Sequence, residues 1–451
     1  QKPTNGDGDF DFTRSTAATR VNADGNIEKE TMNLMPYSNN FSQWSPKNGT
    51  FAQGVSDPFG GNNAWSLTAT NADPYLYLNP SVTGLVTLSV WAKGVGSSIG
   101  KDFLLISSGS SPNNSAHILT SEWVRYEGYF NCTSPVQFGF EIPNPAVVGD
   151  VVHIYGAQLE YGLVARDYIE TTTAAVYGGI TDNTPRLDYT DSSCPALLLE
   201  PLRTNILTQS ELLSDFTKTN ITEVSGNQVT PEGVLGSVKI SPTSSSSVTQ
   251  ISKAGLTTGI AYSLSFFVKA AEASNLIINQ AGSSSYRADY NVNNLTTTSS
   301  VGITANIKSY GNNWVRVEYI TSSLTYADIR ILLSDGSGNY PYSPPVGEGL
   351  YLWGFQLEAN SPYPTSYIPT YGTSVTRNGD SCLGAGNAST FNSTEGVLYW
   401  EGSFDSTSTT AGAIALIGAN SNRVQLYNSG SNVVALIGVN GITSFTATTS
   451  G

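Results

Sequence analysis

The sequence is short of the residues on which metal sites and disulfides depend. Its 451 residues include two histidines and three cysteines, Cys132, Cys194 and Cys382, which lie far apart. An odd number of widely spaced cysteines builds neither a disulfide framework nor a zinc knuckle, and two histidines leave a tetrahedral zinc site short of ligands. We therefore expect reduced thiols, no metal and no cofactor.

Charged residues are also scarce, and their balance is acidic. Only 12% of the residues are charged, with 21 Lys and Arg against 35 Asp and Glu, a formal net charge of −14. This surplus repels a phosphate backbone, and no Lys/Arg cluster interrupts it, so we expect no nucleic-acid partner. No stretch approaches the roughly 18 consecutive apolar residues that span a bilayer, so we expect no membrane insertion.

The sequence is rich in short β-like runs separated by turns. Residues 86–90 (VTLSV) are one such run, and Asn48-Gly49 and Asn440-Gly441 are typical turn dipeptides. No window of a dozen residues has the apolar spacing of an amphipathic helix. The sequence therefore predicts an all-β protein.

Four sequence blocks occur twice in the same order, which indicates an internal repeat. The paired blocks are residues 33–38 with 205–210, 88–93 with 264–269, 123–127 with 314–318, and 155–160 with 353–358. Each copy closes with a Tyr-Ile pair, at 168–169 and 367–368. A copy of roughly 140 to 165 residues with many short strands has the size of a jelly roll or other β-sandwich.

The repeat predicts two tandem jelly-roll β-sandwich domains followed by an incomplete third β-sandwich. The expected division is an N-terminal arm at 1–32, a first jelly roll at 33–176, a connector at 177–204, a second jelly roll at 205–376 and a truncated third domain at 377–451. The third region has strand candidates at 396–404, 413–418, 423–427 and 433–439, too few to close a sandwich of about 100 residues. We expect the apolar run at 197–199 in the connector to dock against a neighbouring domain.

The repeated strands have one apolar face and one mixed face, because alternate side chains point to opposite sides. The mixed face carries Trp91 and Lys93 in the first copy and Phe267 and Lys269 in the second. One interpretation is a glycan-binding surface, where the aromatic ring stacks on a sugar and the charged groups bind its hydroxyls. The other is a half-buried structural face, in which Lys and Arg stems cover the ring. The likeness of the two copies favours the structural interpretation.

Loops, where the two copies differ, are the usual place for ligand sites. The glycan-binding candidates are eight loop aromatics: Trp44, Trp65, Tyr75, Tyr77, Tyr286, Tyr290, Tyr340 and Tyr342. We expect no catalytic residue. Residues 96–100 (GSSIG) match a nucleophile elbow but lack the helix that should follow it, and nothing in the sequence selects a carboxylate pair for glycoside hydrolysis.

Several segments resemble virion proteins of tailed bacteriophages. Residues 9–22 (DFDFTRSTAATRVN), with Gly25 and Ile27, resemble a signature of virion structural and tail-fibre-like proteins, as do residues 185–189 followed by 194–205. The blocks ending at 156–160 and 354–358 resemble carbohydrate-binding-module jelly rolls of those proteins. Residues 376–377, 380–382 and 394–399 resemble the opening of a laminin-G or concanavalin-A-like sandwich.

The resemblance implies a virion appendage, outside the particle and assembled in the host cytoplasm, and it transfers no catalytic or ligand residue. Our leading hypothesis is a tail-fibre or head-fibre-like subunit that is not an enzyme. Its expected partners are other virion proteins, further copies of itself, with a trimer favoured, and host surface polysaccharide. The alternatives are a purely architectural collar or decoration protein, a secreted bacterial adhesin, and a glycan-degrading enzyme or its accessory protein.

Overall fold

The computed structural model describes residues 11–134, 137–142, 146–225, 228–338 and 342–384, together with 397, 401, 413–417, 422–429, 432–439 and 442–450. These residues contain 37 β-strands, four 3₁₀ turns and no α-helix. None of their helical segments is long and apolar enough to cross a membrane. The predicted all-β class is confirmed.

The strands fall into five groups along the chain. The N-terminal segment has β1 (Asp11–Thr13), β2 (Arg20–Val21), β3 (Ile27–Glu28) and β4 (Glu30–Asn33). The first sandwich has β5 (Ser45–Lys47), β6 (Gly49–Val55), β7 (Ala64–Ala69), β8 (Tyr75–Leu78), β9 (Gly84–Val95), β10 (Asp102–Ser107), β11 (Ser110–Ser111), β12 (Asn114–Ile118), β13 (Val124–Cys132), β14 (Phe138–Glu141) and β15 (Val151–Tyr161). The connector has β16 (Val176–Gly179), β17 (Leu187–Asp188), β18 (Ala196–Leu197) and β19 (Arg203–Asn205).

The remaining strands belong to the second sandwich and to the chain that follows it. The second sandwich has β20 (Thr217–Thr219), β21 (Ile221–Ser225), β22 (Val238–Pro242), β23 (Gln250–Ala254), β24 (Tyr262–Ala270), β25 (Asn275–Gln280), β26 (Arg287–Asn291), β27 (Thr296–Ser299), β28 (Ile303–Ser309), β29 (Val315–Thr321), β30 (Asp328–Ser334) and β31 (Leu350–Ala359). It is followed by β32 (Val375–Arg377), β33 (Ser381–Leu383), β34 (Ala413–Ile417), β35 (Arg423–Ser429), β36 (Asn432–Val439) and β37 (Ile442–Ser450). The 3₁₀ turns are Phe41–Gln43, Gly96–Ser98, Ser284–Tyr286 and Gly311–Asn313.

Each sandwich consists of two antiparallel sheets around one apolar core. In the first, the strand orders are β12-β10-β14-β8-β5 and β11-β13-β9-β15-β7-β6. In the second, they are β20-β23-β30-β25-β26-β27 and β21-β22-β31-β24-β29-β28. The alternate apolar residues of β9, such as Leu88 and Val90, lie in the first core with Phe103 and Phe140, and the matching Leu264 and Phe266 of β24 lie in the second. The repeated blocks thus occupy equivalent strands of tandem sandwiches, as the predicted fold class requires.

The C-terminal strands form a separate antiparallel sheet in the order β34-β35-β36-β37. Most of the predicted strand at 396–404 lies outside the described residues. The apolar run at 197–199 was expected to dock against a neighbouring domain, yet Leu197 and Leu199 are exposed among the residues that the structure describes.

A buried asparagine organises the same hydrogen bonds in both copies. In the first, Asn33 donates to the carbonyls of Ala157 and Ile169 and accepts from the backbone N–H groups of Met35 and Leu159, at 2.7–3.1 Å. In the second, Asn205 donates to the carbonyls of Phe355 and Ile368 and accepts from Leu207 and Leu357, at 2.9–3.2 Å. One amide therefore links three chain segments in each sandwich and uses all four of its hydrogen-bonding positions.

The glutamine and serine of the repeated blocks extend this arrangement. The side-chain oxygens of Gln158 and Gln356 accept from the backbone N–H groups of Ile169 and Ile368, at 2.7 and 2.6 Å. Ser38 and Ser210 hydrogen-bond the hydroxyls of Tyr168 and Tyr367, each at 2.7 Å. These bonds hold the closing Tyr-Ile pair of each copy against its sheet.

A cluster of buried charges joins the N-terminal segment, the connector and the chain after the second sandwich. This arginine cluster consists of Arg14, Arg186, Arg377, Glu200 and Asp380, all with buried side chains. Glu200 accepts from Arg186 at 2.7 Å and from Arg377 at 2.5 Å, while Asp380 pairs with Arg14 at 3.0 Å and also with Arg186. Burial alone would raise the pKa of Glu200, but Arg377 and Arg186 hold it at about 2.

The two sandwiches touch where β9 begins. The backbone N–H of Leu85 donates to the carbonyl of Tyr371 at 2.8 Å. Gly84 has a φ of +99°, and a Cβ at this position would lie 2.1 Å from the Tyr371 carbonyl oxygen. Only glycine allows this approach, because the φ is left-handed and the space is filled by backbone.

Candidate functional site

The first mixed face is the outer face of the sheet that contains β9. Trp91 of β9 stands in register with Arg125 of β13 on one side and Tyr155 of β15 on the other. The guanidinium carbon of Arg125 lies 4.5 Å from the Trp91 ring centroid, a cation–π distance. Cross-strand pairing therefore builds a row of aromatic and cationic groups from three strands.

Two further aromatic rings complete this face. Phe59, in the turn between β6 and β7, lies 5.4 Å from Trp91 and 5.8 Å from Tyr155, centroid to centroid. Tyr168 of the closing Tyr-Ile pair lies 5.6 Å from Trp91. Phe59 is 68% exposed, while the other three rings are half-buried. We use "first mixed face" for Phe59, Trp91, Tyr155 and Tyr168 with the polar groups around them.

Glycine and aspartate fix the geometry of these rings. Gly156 has a φ of +62° at a β-bulge in β15, and a Cβ there would lie 3.2 Å from the rings of Trp91 and Tyr168. The carboxylate of Asp57 accepts from the backbone N–H groups of Phe59 and Gly61 at 2.9 Å, which closes the turn. The bulge makes room for the rings, and the aspartate positions Phe59 over them.

Cationic and hydrogen-bonding groups border the rings. Lys93 lies 5.2 Å from the ring of Trp123 and stands in register with His153. Burial, and then the nearby Lys93, lower the pKa of His153, so its imidazole is neutral at neutral pH. Three buried nitrogens on this face have no hydrogen-bond partner within the structure: Trp123 Nε1, Arg125 Nε and His153 Nδ1. Buried polar groups are normally paired, so these atoms are notable.

The second sandwich has the same constellation, but it is sealed. Its second mixed face places Phe267, Trp353, Trp314 and Tyr367 in one buried cluster with Ile27. Ile27 belongs to the N-terminal hairpin, residues 20–28, which is formed by β2 and β3. The chain therefore covers the second mixed face with its own N-terminal segment.

One indole shows the difference between the two faces most directly. Trp314 Nε1 donates to the carbonyl of Val229 at 2.7 Å. The backbone N–H of Ile27 donates to the carbonyl of Pro231, also at 2.7 Å, which attaches the hairpin to the same loop. The equivalent Trp123 Nε1 has no partner in the described structure. The first mixed face is therefore uncovered, whereas the equivalent second mixed face is covered by the N-terminal hairpin.

Three of the eight predicted loop aromatics lie in the hydrophobic cores. Trp44 stacks on Phe140 at 5.3 Å, and Trp65, which belongs to β7, packs edge-on against Phe41 at 6.2 Å. Tyr290 belongs to β26 and is fully buried in the second core. The prediction that these are exposed loop aromatics is wrong, because each ring fills the space between two sheets and cannot reach a sugar.

The other predicted aromatics remain candidates. Tyr75 and Tyr77 are half-buried on β8 with ring centroids 5.6 Å apart, and Lys47 lies 5.1 Å from the Tyr75 ring. Tyr286 contacts Tyr326 at 5.9 Å. Tyr342 donates to a carboxylate oxygen of Glu348 at 3.4 Å, and Tyr340 lies outside the described residues.

The alternation of residues along the repeated strands predicts the mixed face but not the further aromatic residues that complete it. Phe59 occurs in DPFGG, where a large apolar residue inside a turn is a signal of exposure. Tyr155 and Tyr168 belong to the repeated blocks, where likeness to Trp353 and Tyr367 favoured a structural role. No local pattern indicates that one copy is covered and the other is open.

A second concavity lies between the sandwiches, a cleft of about 770 Å³ lined in part by Lys29, Gly84 and Tyr371. Its lysine is matched within the protein, since Lys29 pairs with Glu211 at 3.1 Å and with Glu232 at 2.7 Å. Lys29, Glu211 and Glu232 therefore stabilise the contact between the two sandwiches. Across the described residues, no group of three or more His, Cys, Asp or Glu is placed to hold a metal ion.

Comparisons with known proteins give no family. No protein-family model matches the chain, and no curated protein matches it. Among solved structures, the N-terminal CBM22-1–CBM22-2 tandem domain from Paenibacillus barcinonensis Xyn10C has 12% identity and a TM-score of 0.27, covering 70% of this chain and 94% of that one.

Two further structures are similar at the same low level. The M60 catalytic domain with CBM51-1 and CBM51-2 from Clostridium perfringens ZmpB has 10% identity and a TM-score of 0.20, covering 77% of this chain and 43% of that one. The complex of the plant peptide RALF23 with FER and LLG2 has 9% identity and a TM-score of 0.20, covering 72% and 92%. Likeness at these scores carries no argument about a ligand.

Proposed function

We propose that the protein binds glycans through the first mixed face, as a non-enzymatic subunit of a bacteriophage virion appendage. The observation that carries the proposal is the contrast between two equivalent faces in one chain. The second is sealed by the N-terminal hairpin, whereas the first presents an exposed phenylalanine above three half-buried aromatic rings. An aromatic surface left open beside its sealed copy favours an external ligand.

The chemistry of the first mixed face suits a sugar. A pyranose ring has an apolar face of C–H groups that stacks on aromatic rings, and a rim of hydroxyls that both donate and accept hydrogen bonds. The rings of Phe59, Trp91 and Tyr155 supply the first requirement. The ammonium group of Lys93, over the Trp123 ring, supplies a hydrogen-bond donor at the border.

The virion setting rests on the resemblance of residues 9–22 and 185–205 to tailed-phage virion proteins. Weak sugar sites suffice in such an appendage, because several copies on one particle raise the effective concentration of the second and later contacts. We accordingly propose host surface polysaccharide as the ligand and an oligomer, with a trimer favoured, as the binding form.

Replacing Phe59 with alanine should weaken polysaccharide binding about tenfold without unfolding the protein, because the ring is exposed and a single aromatic contact is worth about 1.4 kcal/mol. The measurement is affinity electrophoresis of the full chain in gels that contain capsular polysaccharide from candidate hosts. Tyr129→Ala is the matched control, since Tyr129 is 43% exposed on β13 of the same sheet but lies outside the mixed face. Equal retardation of the wild type and Phe59→Ala by every bound polysaccharide would refute the assignment of this face.

A protein segment is the second candidate ligand. The observation in its favour is that the second mixed face already accommodates a β-hairpin of this chain, with Ile27 packed in the same buried cluster as the aromatic rings. In that case the appendage is architectural, and the first mixed face binds another virion protein. Absence of binding to any polysaccharide, with a Phe59→Ala variant that fails to incorporate into particles, would favour this function over the first.

A further inference from the structure

The cleft between the two sandwiches has the size and the position of a ligand pocket. Its volume of about 770 Å³ lies within the range of small-molecule sites, which often occur where two domains meet. The N-terminal segment and both sandwiches contribute residues to its walls. Thr83, Thr133 and Thr373 line the cleft and are exposed, so it opens to solvent. We call it the junction cleft.

One carboxylate in the junction cleft has no partner. Glu30 of β4 lines the cleft and is half-buried, and its side chain makes no hydrogen bond or ion pair within the described residues. Neither of its oxygens is shut off from solvent, so a ligand in the cleft can reach them. Burial, and then the nearby Asp182, raise the pKa of Glu30. The pKa moves in this direction because no positive group offsets the loss of water around the carboxylate.

The cationic side chains of the cleft are engaged with other carboxylates. Lys29 and Arg377 are the cationic residues among the described residues that line it. Lys29 pairs with Glu211 and Glu232, and Arg377 pairs with Glu200 at 2.5 Å. The free charge of the cleft is therefore negative. A cationic ligand would form an ion pair with Glu30 in a partly dehydrated site, where such a pair is stronger than in water.

Apolar and aromatic side chains share the cleft with Glu30. Met32 follows two residues later on β4, on the same face of the strand, and also lines the cleft. Tyr161 and Tyr371 add two stacked rings whose centroids are 5.7 Å apart. A carboxylate in a pocket with aromatic rings suits an ammonium group, which forms an ion pair with the first and a cation–π contact with the second.

Neutral polar groups with free hydrogen-bonding capacity also line the cleft. The side chains concerned make no hydrogen bond to any residue that the structure describes, and they are Asn131, Thr83, Thr133, Ser214 and Thr373. Asn131 is half-buried, and the four hydroxyl residues are exposed. Hydroxyl and amide groups both donate and accept, as the hydroxyls of a sugar do. This lining favours an amine carried on a sugar over a plain alkylamine.

We propose that the junction cleft is a second ligand site, which binds the protonated amine of an amino sugar through the carboxylate of Glu30. The ammonium group donates to Glu30, the C–H groups of the sugar contact Met32 and Tyr161, and its hydroxyls exchange hydrogen bonds with Asn131 and the hydroxyl residues. The residues of this site differ from those of the first mixed face, and neither site depends on the other.

The experiment titrates the full chain carrying Phe59→Ala by saturation-transfer NMR, so that the contribution of the first mixed face is reduced. The probe is methyl glucosaminide, which has a free amine, and the negative probe is methyl N-acetylglucosaminide, whose nitrogen is uncharged. Glu30→Gln keeps the shape of the side chain and removes its charge. We expect it to raise the Kd for the glucosaminide at least about tenfold, because a hydrogen bond between charged groups is lost.

Glu272→Gln is the matched control, because it makes the same change of charge in an exposed ion pair with Lys239, outside the cleft. Thr373→Trp is a second variant, which keeps Glu30 but places a large side chain at an exposed position of the cleft, and it should also weaken binding. A lysine arm, Nα-acetyl-lysine methylamide, carries an ammonium group without sugar hydroxyls and should bind at least about tenfold more weakly than the glucosaminide.

Four results would each overturn the proposal. They are equal Kd values for Glu30→Gln and Glu272→Gln, equal affinity for the N-acetylated sugar, equal affinity for the lysine amide, and no transfer to the glucosaminide. The polysaccharide assay compares Phe59 with Tyr129, and neither residue lines the junction cleft. Failure at one site is therefore distinguishable from failure at the other.

Discussion

Replacing Glu200 with alanine should lower the free energy of unfolding by about 3–5 kcal/mol. Glu200 is buried between Arg186 and Arg377, and its removal leaves the three buried guanidiniums of the cluster with one carboxylate, that of Asp380. An uncompensated buried charge is far more costly than the loss of an exposed ion pair. Urea denaturation followed by tryptophan fluorescence measures the change.

Glu223→Ala is the control for this prediction. Glu223 pairs with Lys218 at the surface of the second sandwich, with both side chains partly exposed, so its loss should cost less than about 1 kcal/mol. Similar urea midpoints for the two variants would show that the arginine cluster contributes no more than a surface pair.

Glu200 should also make the free energy of unfolding depend on pH. The pKa of Glu200 is about 2 in the folded protein against an ordinary value of 4.5. A carboxyl whose folded pKa is depressed adds stability above its unfolded pKa, and this stability, about 3 kcal/mol here, is lost as the pH falls from about 4.5 to 2. Wild-type stability should therefore decline more steeply than that of Glu200→Ala across this interval, and parallel curves would contradict the assignment.

Replacing Asn205 with alanine should destabilise the second sandwich by about 4 kcal/mol. The change leaves two buried carbonyls and two buried N–H groups without their partner, and each such group costs about 1–3 kcal/mol when water cannot replace the bond. Asn205→Asp should cost at least as much, because it keeps the bonds from Leu207 and Leu357 but buries a charge and turns an oxygen toward the carbonyls of Phe355 and Ile368. Thermal unfolding of the full chain measures both variants.

The repeat supplies an internal check on this prediction. Asn33 makes the equivalent four bonds in the first sandwich, so Asn33→Ala should destabilise that sandwich to a similar extent. Asn114→Ala, on an exposed strand, should have little effect. An effect of Asn205→Ala as small as that of Asn114→Ala would refute the organising role of the buried amide.

The sequence predicted the strands and the repeat well, because both depend on local pattern. Alternating residues such as Leu88 and Val90 must face one core, and the same alternation recurs at Leu264 and Phe266. The role of Asn33 was not predictable in this way. Its four partners come from three segments of the chain, so nothing near it in sequence indicates that it is buried.

The placement of aromatic rings was predicted less well. Trp44 and Trp65 lie among polar and glycine residues, which favoured a loop assignment, but the space between the sheets accommodates them. Phe59, by contrast, is apolar and exposed because Asp57 closes a turn beneath it. Whether a ring is buried depends on which distant segment reaches it, as Ile27 reaches Trp314, and period-two patterns carry no such information.

The pairing of β1 with β33 has a consequence for the order in which the protein is made. Asp11 aligns with Leu383, and Arg14 pairs with Asp380, so these contacts connect the chain before the first sandwich with the chain after the second. As the protein leaves the ribosome, the first sandwich can fold while β1 and Ile27 still have no place to dock. The contacts of β1 with β33 and of Arg14 with Asp380 form only after both sandwiches have been synthesised. An interrupted chain would leave its N-terminal segment unburied and accessible to chaperones and proteases.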